Sequence, residues 1–181
     1  SRTKTSFGTR VLPFPCKMIE KRGEDGAPLP DGEWVLRLSA RPKDFDVNGK
    51  APPIAFKLST TETQEKMPRL SVFAESLTTP EQAWIIAGAK EHHELVLRLS
   101  VDAIRALWPG ADVASAETLD VVWDHIPDPR PGAEGHAGIT GLDVADRTIR
   151  KIYRWKLAEI AQAIPLDLQE PLGLDYTAAH K

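Results

Sequence analysis

Residues 118–142 read TLDVVWDHIPDPRPGAEGHAGITGL, and the order of residue types in this stretch decides the fold class. Leu119, Val121 and Trp123 alternate with Asp120, Val122 and Asp124. A period of two with β-branched and aromatic side chains predicts a strand. Pro127, Pro129 and Pro131 then stop it, because proline fixes φ and has no amide to give a sheet. Gly132, Gly135 and Gly138 follow, and His136 to Gly141 resumes as a short strand. Along the chain strands and helices alternate only in part, and antiparallel hairpins fit better than repeated crossover units, which points to α+β and away from a doubly wound sheet.

Working outward, the remaining segments agree with that class. Residues 33–40, EWVLRLSA, alternate like a strand, with Trp34, Leu36 and Leu38 on one face. Further strands are expected over 16–21, 54–58, 70–74 (LSVFA) and 94–99 (ELVLRL), with 59–68 a loop or short helical turn. Thr79-Pro80-Glu81-Gln82 is a capping box with proline at the first helical position, so a helix starts at Pro80 and runs to about Lys90. Ser100 can cap a short helix from Val101 to Trp108. Ile149, Ile152, Tyr153, Ile160 and Ile164 recur at helical spacing and predict an amphipathic helix over 144–164, ended by Pro165. The expected architecture is a mixed, mostly antiparallel sheet packed by about three helices, the last one long. Residues 1–10 read as a flexible arm, 11–164 as one domain and 165–181 as a tail.

Composition narrows the function classes. A chain of 181 residues can bury a core without disulfides or metal, and its one cysteine, Cys16, allows no intrachain disulfide. The net charge of −3 supplies no global field for nucleic acid or an acidic membrane. No apolar run reaches transmembrane length, and the expected location is the cytoplasm. No frame calls for a cofactor.

Chemistry-bearing residues gather in the opening stretch: Asp124, His125, Asp128, Arg130, Glu134 and His136. His136 can act as a general base oriented by Asp124 or Asp128, with Ser71 or Ser39 as nucleophile. No GxSxG, HExxH or GxxxxGK[ST] frame supports this. The plain alternative for His136 is an imidazole that hydrogen-bonds a neighbouring backbone turn and locks the loop. His92 and His93 are adjacent and point apart, as in a solvated turn rather than a metal site. The last helix carries Arg147, Arg150, Lys151, Arg154 and Lys156 away from its apolar stripe. These can contact phosphates or simply be solvated. Trp155 falls off the stripe among those arginines, a pairing typical of interface centres.

AFKLS at 55–59, RLSVF at 69–73, TTPEQA at 78–83 and GHAGITG at 135–141 occur in that order. The pattern resembles an uncharacterised group of small bacterial proteins with FK, LSV and HAxI segments, over Trp34 to about Ala163. The resemblance brings no activity and no catalytic residues. It implies that Lys57, Ser71 and His136 converge in space.

The leading expectation is a non-catalytic protein-binding or accessory module of a bacterial multi-component system, with Trp155, Arg147, Arg150, Lys151 and Arg154 at its interface. The rival is a small hydrolase or nucleotide-modifying transferase, with His136 as base and Ser71, Lys57 and Asp124 assisting. The third is nucleic-acid binding through the basic helix over 147–156.

Overall fold

The computed structural model describes residues 21–38, 45–46, 48–88, 95–110 and 118–166. The expectations for the arm, for Cys16 and the 16–21 strand, for Ser39, for His92 and His93, and for the tail beyond 166 lie outside these residues.

Six strands form one sheet: β1 (Trp34–Arg37), β2 (Leu70–Ala74), β3 (Leu95–Ser100), β4 (Asp120–Trp123), β5 (His136–Thr140) and β6 (Gln162–Pro165). Their spatial order is β4-β5-β2-β1-β3-β6. Every pairing between them is antiparallel, so the described sheet is not mixed. Four α-helices accompany it among the described residues: α1 (Thr60–Gln64), α2 (Pro80–Ile86), α3 (Val101–Arg105) and α4 (Arg147–Ile160). The fold is α+β.

Both faces of the sheet are covered. The larger core joins Val35, Val72, Leu99, Val121 and Ile139 of the sheet to Tyr153 and Leu157 of α4. The smaller one joins Leu36, Phe73 and Val96 to Ala83 of α2. This double burial explains why β1 shows two adjacent fully buried residues, Val35 and Leu36, instead of a polar face.

Caps set the helix starts. Thr79 and Gln82 form the expected reciprocal box at α2. Ser59 and Glu62 form a second one that makes α1 a true helix. Ser100 caps α3 through the amide of Ala103. Asp146 caps α4 through the amides of Thr148 and Ile149. α2 ends earlier than Lys90, beside Gly88, whose φ of +64° breaks the helical path.

Two further expectations need correction. Residues 54–58 are not a strand: a 3-10 turn spans Pro53–Phe56. Pro52 and Pro53 set its entry, and buried Phe56 packs into the core shared with α4. α4 stops at Ile160 rather than Ile164, and residues 162–165 form β6 against β3. The open edge of β3 offers backbone partners there, and Pro165 is tolerated because β6 is itself an edge. In addition, the stretch before β1 is partly sheet-like: Gly26, Ala27 and Leu29 exchange backbone hydrogen bonds with Trp123 and Val121 of β4.

No helix of the described residues is long and apolar enough to cross a membrane.

Candidate functional site

Strand register brings part of the predicted constellation together. Ser71 lies opposite Gly138, and Phe73 opposite His136. His136 is therefore the diagonal neighbour of Ser71 on the same sheet face, within reach of a side-chain contact. Ser71 Oγ stands 2.8 Å from His136 Nε2. On its other side the imidazole meets β4: Nδ1 lies 2.7 Å from the Asp124 carbonyl oxygen and 3.4 Å from Asp124 Oδ2. A carbonyl only accepts, so Nδ1 donates to it, and in the neutral ring Nε2 then accepts from the Ser71 hydroxyl. Asp124 Oδ1 in turn accepts from Arg69 at 3.0 Å. Arg69 lies across Gly138, where a Cβ would approach Arg69 Cβ to 2.6 Å. Its Nε is buried and has no partner among the described residues.

Serine, imidazole and carboxylate thus stand in sequence, but the imidazole is closed in. His136 is only 7% exposed, its ring meets Phe73 edge-on at 5.2 Å, and both ring nitrogens are engaged. The amide of Ser71 is held by Glu62 at 2.8 Å. Lys57 does not join this group; it lines a separate cleft beside α4.

The other ionisable residues of the 124–136 loop are used in holding the loop. The Asp128 carboxylate is held below its ordinary range by the hydrogen bonds from Arg130, and Arg130 donates to the carbonyls of Ile85 and Ile86 at the end of α2. A cation on those orphan carbonyls fixes the loop to the helix. Glu134 accepts from the Gly132 amide, and His125 contacts the Gly23 carbonyl. Among the described residues no group of three or more His, Cys, Asp or Glu could hold a metal ion.

The predicted interface residues lie on α4, and the structure brings them together. Arg147, Arg150, Lys151 and Arg154 line one cleft of about 350 Å³ with Lys57 and Asp143. Further along the same helix, Trp155 walls a largely apolar cleft of about 310 Å³ with Phe45, Pro52 and Pro53. Trp155 is 62% exposed, while Tyr153 and Leu157 on the inner face of the same helix are fully buried. Burial pushes the Arg154 guanidinium below its ordinary pKa, and the neighbouring Arg150 charge pushes it the same way.

Sequence reasoning missed the pair Arg37 and Glu62. Arg37 sits where β1 ends and donates to the Ser71 carbonyl at 2.8 Å and to Glu62 at 3.3 Å. Together they replace the ladder bonds that β1 no longer supplies to β2. The pattern Ser59-x-x-Glu62 is a capping-box signal and could have flagged Glu62. Nothing in the spacing marks Arg37 as its partner.

Compared with known proteins, the chain matches no family model, no curated protein and no solved structure.

Proposed function

We propose that this chain is a non-catalytic docking module, an accessory part of a cytoplasmic bacterial multi-component system, which meets a protein partner through the outer face of α4. One observation carries the reading: Trp155 stands largely exposed on the wall of an apolar cleft, one residue along α4 from Arg154 of the cationic cleft. Exposing a tryptophan forgoes roughly 2 kcal/mol or more of burial, and an aromatic anchor beside arginines is the composition of an interface centre. The inner face of the helix already supplies the core, so Trp155 is not needed for the fold.

The test is Trp155→Ala. The variant keeps the circular dichroism spectrum and melting point of the parent, and its affinity for the co-purifying partner falls about thirtyfold or more, the effect of losing a central aromatic anchor worth about 2 kcal/mol. Undiminished affinity contradicts the reading.

A second reading rests on the 2.8 Å contact between Ser71 and His136, which is the geometry of a nucleophile and its base. We assign this contact a structural role. The Ser71 backbone is consumed by Glu62 and Arg37, and the imidazole pins the Asp124 carbonyl at the mouth of the loop. A fluorophosphonate probe, which labels activated serines whatever their substrate, is expected to leave the protein unmodified. Labelling that disappears in Ser71→Ala establishes the hydrolase instead.

A further inference from the structure

The cleft beside α4 gathers positive charge that the described residues around it do not balance. Five described arginines elsewhere sit in ion pairs: Arg37, Arg69, Arg98, Arg105 and Arg130. In contrast, the side chains of Lys57, Arg147, Arg150, Lys151 and Arg154 make no ion pair or hydrogen bond with another described residue, and Asp143 is the one carboxylate among the described residues that line the cleft. On α4 the cations stand at positions i, i+3, i+4 and i+7, so each neighbouring pair is like-charged and works against the helix. An anion placed between them relieves that repulsion and gains charge-assisted hydrogen bonds.

The shape of the site selects the kind of anion. Arg147 and Arg154 are seven residues apart, about 10 Å along the helix axis. Anionic groups spaced along the helix meet both ends without drawing the arginine side chains inward. Two carboxylates on the same side of an extended peptide stand about 7 Å apart, and their side chains cover the rest. A long polyanion fits less well: Asp143 precedes the helix at one end, and further along α4 Asp46 and Glu159 outnumber Lys50 in the lining of the Trp155 cleft. A nucleic-acid backbone running past the cations in either direction meets carboxylates. The apolar wall made by Pro52, Pro53, Phe45 and Trp155 suits a hydrophobic side chain flanking a short acidic run.

We infer that the cationic cleft binds a short, extended acidic segment of a protein, with carboxylates on alternate residues and an apolar residue at one end resting on Trp155. This deepens the docking reading by naming the chemistry of the partner, and it rests on that reading for the role of Trp155.

The experiment titrates the full chain against three labelled probes by fluorescence anisotropy. The first is a short peptide with glutamates at alternate positions and a Pro-Leu end, the second the same peptide with glutamines, and the third an oligothymidylate of similar length. Arg150→Gln/Arg154→Gln is titrated beside the parent, with circular dichroism melts to show that both are folded. The acidic peptide is expected to bind, to weaken about thirtyfold in the double variant as two charge-assisted contacts are lost, and to weaken with added salt. The glutamine peptide is expected not to bind.

Equal binding of the two peptides, no effect of the double variant, or tighter binding of the oligothymidylate overturns the inference. These results are separable from failure of the docking reading. If Trp155→Ala still abolishes partner affinity while the acidic peptide fails, the docking face stands and its acidic ligand falls. If the acidic peptide binds but Trp155→Ala changes nothing for the partner, the cleft stands and the docking role of Trp155 falls.

Discussion

Tyr153→Ala lowers the stability of the folded chain by about 3–5 kcal/mol, the cost of removing a large aromatic from a packed core. Tyr153 is fully buried in the middle of α4, in the cluster that contains Leu70, Phe56 and Ile139. Burial also pushes its phenol pKa up. Two residues further along the helix, Trp155→Ala removes an even larger side chain, yet it is expected to change stability by less than about 0.5 kcal/mol because that side chain is mostly in water. Urea unfolding followed by circular dichroism measures both. A large difference between the two substitutions shows that α4 has one face committed to the core and one that is not. Equal losses contradict that division.

Glu62→Ala is the second large effect, about 3–5 kcal/mol, because it strands the buried Arg37 charge. The two side chains are 11% and 12% exposed. Glu62 also accepts from the amides of Ser59 and Ser71, so one residue closes α1 and completes the β2 edge. Its loss leaves those donors unmet as well.

The same carboxylate sets an acid limit. Burial raises the Glu62 pKa, but the Arg37 charge and the amides of Ser59 and Ser71 outweigh it and hold the value below the ordinary 4.5. A folded pKa below the unfolded one means that the stabilisation is complete above about pH 4.5 and is lost as pH falls through the folded value. Glu62→Gln is expected to flatten the acid limb of the stability profile below that pH while lowering the plateau above it. An acid limb as steep as the parent's counts against this assignment.

The strands were legible because their side chains declare a period: LSVFA at 70–74 becomes β2 residue for residue. The end of α4 was not legible. Ile160, Ala161 and Ile164 continue the helical spacing, and only the unpaired edge of β3, a feature of the assembled sheet, turns 162–165 into β6. Ile54 and Phe56 look like a strand until Pro52 and Pro53 are given their effect on the backbone.

The candidate residues divide in the same way. Trp155 could be placed outside the core from helical angle alone, and the cationic stripe could be counted. That the stripe lacks carboxylate partners among the described residues depends on which chain segments fold beside it. The meeting of Ser71 with His136 depends on β2–β5 register, which no local pattern encodes. Lys57 sits a few residues beyond Pro53, and the turn there carries it to α4 instead of to the imidazole.

Site-specific photocrosslinking tests the central claim most directly. A photoreactive amino acid replaces Trp155 in one chain and Trp108, another exposed tryptophan three residues past the end of α3, in a second. Irradiation in the native cell is expected to join position 155 to one defined protein and position 108 to none. No adduct at 155, or the same adducts from both positions, contradicts a docking face on α4.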